Sequence, residues 1–224
     1  MNPIVCCYNG QKGITVVRCI VHNMNEFDVV NGTLMGYHGN DSVVIIPQEV
    51  TRIHWFGIRG SHSVNKVVIP EGVHHISDAA FMSADIEEIV LPAGIRFIGE
   101  NAFAGSRLRS IQIPQSIRTI RRYTFFDCRY LMEIILSDGL ELIDCGAFSD
   151  CRNLSALIIP ASVKYIGQDT FRHCYKLSDI VFLGAETEIN ESAFEPLKNL
   201  VITAPRDSLA IHFARKYGYR YKFL

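Results

Sequence analysis

The chain has 224 residues, of which 48% are apolar and 20% charged, and its formal net charge is −1. This composition is typical of a folded globular chain and excludes an intrinsically disordered one. The near-neutral charge argues against a domain built mainly to bind nucleic acid, because such domains carry a clear basic excess. No apolar run reaches 18 residues, so no transmembrane helix is predicted, and residues 1–8 lack the pattern of a signal peptide.

Residues 1–40 contain no repeat. Asn9-Gly10 and Asn31-Gly32 are typical of tight hairpin turns, and the second pair is flanked by two β-type segments, 27–30 and 33–37. We predict β-hairpins that cover the open end of the structure that follows, because an uncovered end would expose strand edges.

Three of the seven cysteines, Cys6, Cys7 and Cys19, lie near His22 and suggest zinc as one alternative. Adjacent Cys6 and Cys7 are poorly spaced for a tetrahedral site, and all four residues lie in apolar, strand-like segments. We therefore expect packing rather than a metal site, and no cofactor. An odd number of cysteines in a chain of this length is weak support for a disulfide scaffold, so we expect reduced thiols.

Residues 41–199 consist of seven copies of one pattern, whose starts are 22 or 23 residues apart. The consensus is L-x-x-I-x-I-P-x-x-V-x-x-I-x-x-x-A-F-x-x-C. A fixed period of this length predicts a solenoid with one coil per copy, since a single coil cannot bury its own apolar residues. Stacking at strand spacing gives a rod of roughly 34 Å and aligns the aromatic column in its interior. That column contains Ile58, Phe81, Phe103, Phe125, Phe148, Phe171 and Phe194.

Each copy predicts the same local structure. The I-x-I step favours a short strand, which the following proline ends because it cannot donate to a ladder. The stretch from V to I favours a second extended segment, and the Ala-Phe stretch suits a single helical or 3₁₀ turn. Cys128, Cys151 and Cys174 share one column, where parallel Cβ vectors favour a buried row of thiols over disulfides.

The C-terminal residues change pattern after the partial eighth copy that opens at Leu200. Asp207 or Ser208 is a candidate N-cap, residues 209–217 favour a helix, and Gly218 is a stop signal before a short strand. We predict that this unit covers the other end of the solenoid. The expected division is an N-terminal cap at 1–40, the solenoid at 41–199 and a C-terminal cap at 200–224, all in one continuous domain.

The copies resemble the leucine-rich repeats of the BspA-like family. Forms of the family signature I-G-x-x-A-F occur at residues 98–103 and, with Thr170 in place of Ala, at 166–171, whereas His54-Trp55-Phe56-Gly57-Ile58 departs from it. The resemblance implies a β-rich α/β repeat solenoid with a hairpin N-terminal cap and a helix-strand C-terminal cap. It also implies a bacterial or protist protein, often surface-associated, that recognises other proteins.

The centre residues of the I-x-I strands form a column that we call the apolar stripe. Alternation along a strand should point these side chains away from the core. Six aliphatic residues on an exposed strand face indicate an interaction site, either for a partner or for a second copy. The alternative is simple β-propensity on a half-exposed sheet. The apolar stripe consists of Ile45, Val68, Val90, Gln112, Ile135, Ile158 and Val181.

Seven arginines, which we call the arginine cluster, are concentrated in the third and fourth copies. Stacking should bring them into one surface region beside the apolar stripe, where they could bind an acidic partner or a polyanion. The alternative is neutralisation by carboxylates on the next coil, namely Glu133, Glu141, Asp144 and Asp150. The arginine cluster consists of Arg96, Arg107, Arg109, Arg118, Arg121, Arg122 and Arg129.

The sequence contains no catalytic motif. No nucleophile motif surrounds a cysteine, and Gly-x-Ser-x-Gly, P-loop and dinucleotide-binding patterns are all absent. We therefore expect a non-enzymatic protein that recognises a protein partner through the apolar stripe, with no nucleic acid and no membrane insertion. The alternatives are a structural spacer, a carbohydrate- or polyanion-binding module that uses the arginine cluster, and a homo-oligomer formed through the apolar stripe.

Overall fold

A computed structural model describes residues 26–224. The hairpin predicted at Asn9-Gly10 and the group Cys6, Cys7, Cys19 and His22 lie outside the described residues.

The predicted N-terminal hairpin is confirmed. Strands β1 (Phe27–Val30) and β2 (Thr33–Tyr37) pair in antiparallel orientation. The turn residues Asn31 and Gly32 have φ angles of 49° and 71°, the left-handed values that a tight type I′ turn requires. Phe27 and Leu34, one from each strand, are buried in the core.

The predicted solenoid is also confirmed, and its first strands form the strand face. Consecutive first strands run parallel, and residues of the same column lie opposite each other. For example, Ile45 lies opposite Val68. Each coil contributes one such strand because I-x-I alternates a buried and an exposed side chain. The first strands are β3 (Val43–Ile45), β5 (Lys66–Val68), β7 (Glu88–Val90), β9 (Ser110–Gln112), β11 (Glu133–Ile135), β13 (Ala156–Ile159), β15 (Asp179–Phe182) and β17 (Val201–Ala204).

The second strand of each coil has only two residues. These strands form a second sheet in two hydrogen-bonded parts, and the hairpin strand β2 joins its first part. The second strands are β4 (Arg52–Ile53), β6 (His75–Ile76), β8 (Phe97–Ile98), β10 (Thr119–Ile120), β12 (Leu142–Ile143), β14 (Tyr165–Ile166) and β16 (Glu188–Ile189). In the seventh copy Thr187, not the aligned Glu186, supplies the buried residue before the strand, and its hydroxyl donates to the carbonyl of Val163 at 2.8 Å.

The Ala-Phe stretch differs from the predicted helical turn. It forms overlapping tight turns, for example Ala80 N–H to Ser77 C=O and Ala84 N–H to Phe81 C=O. Left-handed residues lie two positions before and two positions after the core Phe, and they prevent a continuous helix from forming. In the coil of Phe103 these residues are Asn101 and Gly105, with φ angles of 55° and 69°.

The core consists of the repeated columns stacked on one another. Six phenylalanine rings from Phe81 to Phe194 stack with centroids 5.3, 5.4, 5.5, 5.6 and 5.3 Å apart and planes within 9° of parallel. Beside them lie the free thiols of Cys128, Cys151 and Cys174, all buried. The core is therefore one continuous body along the solenoid.

The predicted helix-strand unit closes the C-terminal end. Helix α1 (Leu209–Tyr217) begins at Ser208, whose hydroxyl accepts a hydrogen bond from Ile211 N–H, and it ends at Gly218 with a φ of 77°. The buried side of the helix places Phe213 against the last core ring, Phe194, with ring centroids 5.8 Å apart. Strand β18 (Arg220–Phe223) then pairs in parallel with β17.

Candidate functional site

The apolar stripe lies along the exposed side of the first strands. Val90, Ile135 and Ile158 are 51%, 50% and 58% exposed, while Val68 and Val181 are half-buried. These side chains point outward because their strand neighbours on either side point into the core, as the period of two requires. The polar member, Gln112, is also exposed.

Ile45 departs from the expectation of outward exposure. It is only 7% exposed, so other residues of the same chain cover it. The alternation of a strand decides to which side of the sheet a residue points, but it does not decide whether that side is covered. The exposed part of the apolar stripe therefore begins at Val68.

Two shallow grooves interrupt the strand face. One has a volume of about 580 Å³ and lies between β7 and β9, with Val90 and Gln112 in its walls. The other has a volume of about 560 Å³ and lies between β11 and β13. It is lined by Met132, Glu133, Ile134, Ile135, Leu136, Ser155, Ala156, Leu157 and Ile158.

Both grooves coincide with gaps in strand pairing. The first strands form three hydrogen-bonded groups, β3-β5-β7, β9-β11 and β13-β15-β17, and the cap strand β18 extends the third group. At the β7–β9 junction Arg109 N–H still donates to Glu87 C=O at 3.2 Å. The β11–β13 junction lacks two such bonds within the described residues. No amide at the start of β13 donates to Met132, and the amide of Leu136 does not donate to Ile158. The grooves therefore combine aliphatic side chains with main-chain groups that the neighbouring coil leaves unpaired.

The charges beside the apolar stripe differ between its two halves. In the N-terminal half Lys66 pairs with Glu88 at 2.7 Å and Arg109 with Glu87 at 2.9 Å. The hydrogen bond from Arg109 lowers the pKa of Glu87. In the C-terminal half the exposed carboxylates have no ion-pair partner among residues 26–224, and these are Glu133, Asp138 and Asp179. Residue periodicity alone identifies Glu133 and Asp179, which lie two positions before Ile135 and Val181, although neither was predicted to be part of the binding site.

The arginine cluster is divided between the two rows of strands. Arg107, Arg109 and Arg129 lie on the approach to the first strands, whereas the others flank the second strands β8 and β10. Residues about ten positions apart in a coil lie on different sides of it, so stacking does not gather them. Only Arg109 approaches the apolar stripe, and its charge is paired.

Most of the arginine cluster is already engaged. Arg107 pairs with Asp85 at 4.0 Å, Arg118 with Glu141 at 3.5 Å and Arg129 with Asp127 at 2.7 Å. The guanidinium of Arg121 lies 4.4 Å from the ring centroid of Phe97, and the His75 ring stacks on the other side at 4.4 Å. Partial burial, then nearby Arg52, lowers the pKa of His75.

The cysteine column has no reactive character. The thiols of Cys128, Cys151 and Cys174 donate to the carbonyls of Phe103, Phe125 and Phe148 at 3.1, 3.1 and 3.0 Å. Burial raises the pKa of Cys128 and Cys174 to about 12. No group of three or more His, Cys, Asp or Glu side chains within residues 26–224 is arranged to hold a metal ion. The same part of the chain has no helix with the length and apolarity needed to cross a membrane.

The family of the repeats is supported by comparison with known sequences. A sequence model described as the BspA type leucine rich repeat region matches residues 37–116 and 96–211, with six copies. No curated protein sequence matches the chain.

Solved structures with the same fold are bacterial leucine-rich repeat proteins. A protein from Bacteroides ovatus is 20% identical, with a TM-score of 0.54, and the match covers 82% of this chain and 61% of that one. The leucine-rich repeat protein of T. pallidum is 22% identical, with a TM-score of 0.55 and coverage of 90% and 97%. The pneumococcal vaccine antigen PcpA is 18% identical, with a TM-score of 0.57 and coverage of 88% and 45%. The chain thus spans about three fifths of the Bacteroides ovatus protein and less than half of PcpA.

Proposed function

The chain belongs to the BspA-type leucine-rich repeat family, and from this premise we propose that it is a binding module that recognises another protein through the apolar stripe. The observation that carries the proposal is the exposure of Ile135 and Ile158, at 50% and 58%. If this chain covered both side chains, the C-terminal half of the strand face would offer little apolar contact. Since it does not, burial by a partner would supply affinity.

The arrangement of the stripe also supports recognition. Within each hydrogen-bonded group its residues lie directly opposite each other in register: Val68 lies opposite Val90, and Gln112 lies opposite Ile135. The strands that hold them rest on the continuous Phe core, so the binding residues are fixed before a partner arrives. A preformed surface loses little conformational entropy on binding.

The alternative functions have less support. A structural spacer needs no exposed aliphatic row and no groove on one face. A polyanion-binding module needs free cations, yet Arg107, Arg109, Arg118 and Arg129 already pair with carboxylates of this chain. A binding role rather than a catalytic one is further supported by the raised pKa of the buried thiols, because a neutral thiol is a poor nucleophile.

The proposal can be tested by selecting binders from a displayed library of random peptides on the wild-type protein. Each binder is then measured against Ile135→Thr/Ile158→Thr, which keeps the net charge and the β-branched shape but reduces the apolar surface. We expect affinity to fall at least about ten-fold, because two apolar contacts are lost. Circular dichroism of the variant should match that of the wild type.

The matched control is Tyr165→Thr, which removes an exposed apolar side chain from β14 in the second sheet. Binders should retain their affinity for this variant. If the binders keep their affinity for Ile135→Thr/Ile158→Thr but lose it for Tyr165→Thr, recognition lies on the second sheet and the proposal is overturned. Sedimentation of the wild type and of Ile135→Thr/Ile158→Thr measures self-association through the same face.

A further inference from the structure

The junction between the coils of β11 and β13 differs from the other junctions of the strand face. Elsewhere an amide at the start of each first strand donates to the preceding coil, as Met132 N–H does to Arg109 C=O at 2.9 Å and Ser178 N–H to Ser155 C=O at 3.0 Å. Within residues 26–224, neither Ser155 nor Ala156 donates in this way to Met132. The amides at the start of β13 therefore have no backbone acceptor in the preceding coil, unlike those of the other first strands.

The side chains around this groove are apolar at its centre and acidic at its rim. Ile135 and Ile158 form the exposed apolar part, and Ala156, a small residue in the column of Glu133 and Asp179, leaves space between those two carboxylates. Asp138 follows β11 on the other side of the stripe. In β11, β13 and β15 all the charged residues are acidic, and Arg109 of the preceding coil is paired with Glu87.

The charge of the rim argues against a second copy of this chain in a symmetric dimer. A two-fold axis through the groove would place Glu133, Asp138 and Asp179 against the same set of carboxylates of the other copy. Like charges brought together at an interface oppose association, whereas a cationic partner would gain attraction and a faster encounter.

We propose that the β11–β13 groove binds an extended segment of another protein in which apolar side chains are adjacent to lysine or arginine. The apolar side chains pack on Ile135 and Ile158, and the cations face Glu133, Asp138 and Asp179. This reverses the charge expected from the sequence, which placed arginines beside the stripe and acidic groups on the partner. The inference rests on the proposed function and specifies the chemistry of the partner.

The test uses two capped synthetic peptides with the same leucines, Lys-Leu-Lys-Leu-Lys-Leu-Lys and Glu-Leu-Glu-Leu-Glu-Leu-Glu. Affinities are measured by fluorescence anisotropy at low salt with the full chain. We expect the lysine peptide to bind at least about ten-fold more tightly, and this preference to shrink as salt screens the charges. The preference should be lost in Glu133→Gln/Asp138→Asn/Asp179→Asn.

The matched control, Glu186→Gln/Glu188→Gln/Asp207→Asn, removes three exposed carboxylates away from the groove and should keep the preference. A lysine preference that survives in Glu133→Gln/Asp138→Asn/Asp179→Asn, or equal binding of both peptides by the wild type, would refute the acidic rim as the recognition element. The proposed function itself would be refuted by a different result. In that case Ile135→Thr/Ile158→Thr would bind both peptides with the same affinities as the wild type.

Discussion

At the scale of single residues, one aromatic column supports the whole solenoid. Phe125 is fully buried, and its ring lies 5.4 Å from that of Phe103 and 5.5 Å from that of Phe148. The ring therefore contacts two neighbouring coils at once. Its neighbour in sequence, Phe126, is 38% exposed and contacts Tyr123 at the surface.

Replacing Phe125 with alanine should therefore lower the free energy of unfolding by about 3 to 5 kcal/mol, the usual cost of a cavity of this size. Phe126→Ala is the control and should cost less than about 1 kcal/mol, as most surface substitutions do. Urea unfolding followed by circular dichroism measures both. Equal losses in the two variants would show that the aromatic column is not the core.

The cysteine column predicts selective protection from alkylation. In the folded protein at pH 8, Cys128, Cys151 and Cys174 should remain unmodified by N-ethylmaleimide, because they are buried and protonated. Half-buried Cys145 should react. Mass spectrometry of the digested protein assigns each site, and modification of the column at the rate of Cys145 would contradict the burial.

The same thiols should make stability depend on alkaline pH. The pKa of Cys128 and Cys174 rises from 9.0 to about 12 on folding, so the folded state holds these protons more tightly. The contribution of these thiols to the free energy of unfolding is complete below pH 9 and is lost as the pH rises toward 12. Between pH 9 and 11 the free energy of unfolding should fall less steeply in Cys128→Ala/Cys174→Ala than in the wild type. Parallel slopes would show that the thiols are accessible to base.

At the scale of elements, the sequence identifies the strands better than it identifies their connections. The I-x-I step, the Ile column and the Asn31-Gly32 turn predict their strands and hairpin because each pattern has one dominant structural solution. The left-handed residues Phe56 and Tyr123 were not predicted, since neither residue type favours a positive φ on its own. Tertiary packing imposes that conformation, so a single sequence contains little local signal for it.

The gap between β11 and β13 was likewise not predictable. The repeat pattern is the same at this junction as at its neighbours, and the difference lies in how two coils stack. Similarly, Asp207 and Ser208 were equivalent cap candidates in the sequence, and the register of α1 decides for Ser208. Spacing defines which residues share a face, but it does not define small displacements between coils.

The gap predicts unequal hydrogen exchange in the free protein. The amide of Leu136 has no backbone acceptor among the described residues, whereas the equivalent Ile113 N–H donates to Ile135 C=O at 2.9 Å. Leu136 should exchange at least about ten-fold faster than Ile113, since an unpaired amide needs no opening step. Exchange measured by NMR resolves the two amides, and equal protection would show that the ladder is continuous.

At the scale of the whole molecule, the net charge is only −1, but the charged residues are distributed unevenly over the surface. The second sheet near β4 to β10 carries Arg52, Arg96 and Arg121, while the C-terminal half of the strand face is apolar and acidic. The sequence predicted the stripe itself, because one column repeated in every coil defines it. The sign of the charge around the stripe depends on which arginines lie on the same side of the coil as the stripe. The fold, not the repeat pattern, decides which arginines these are.

The most direct test of the account is to locate the bound face on the whole molecule. A peptide selected on the wild type is titrated into isotope-labelled protein, and the backbone amide shifts are followed by NMR. The account predicts that the largest shifts, together with slower exchange of the Leu136 amide, occur in β11 and β13. Shifts confined to the second-sheet strands β10, β12 and β14, with the β11–β13 groove unchanged, would contradict recognition through the strand face.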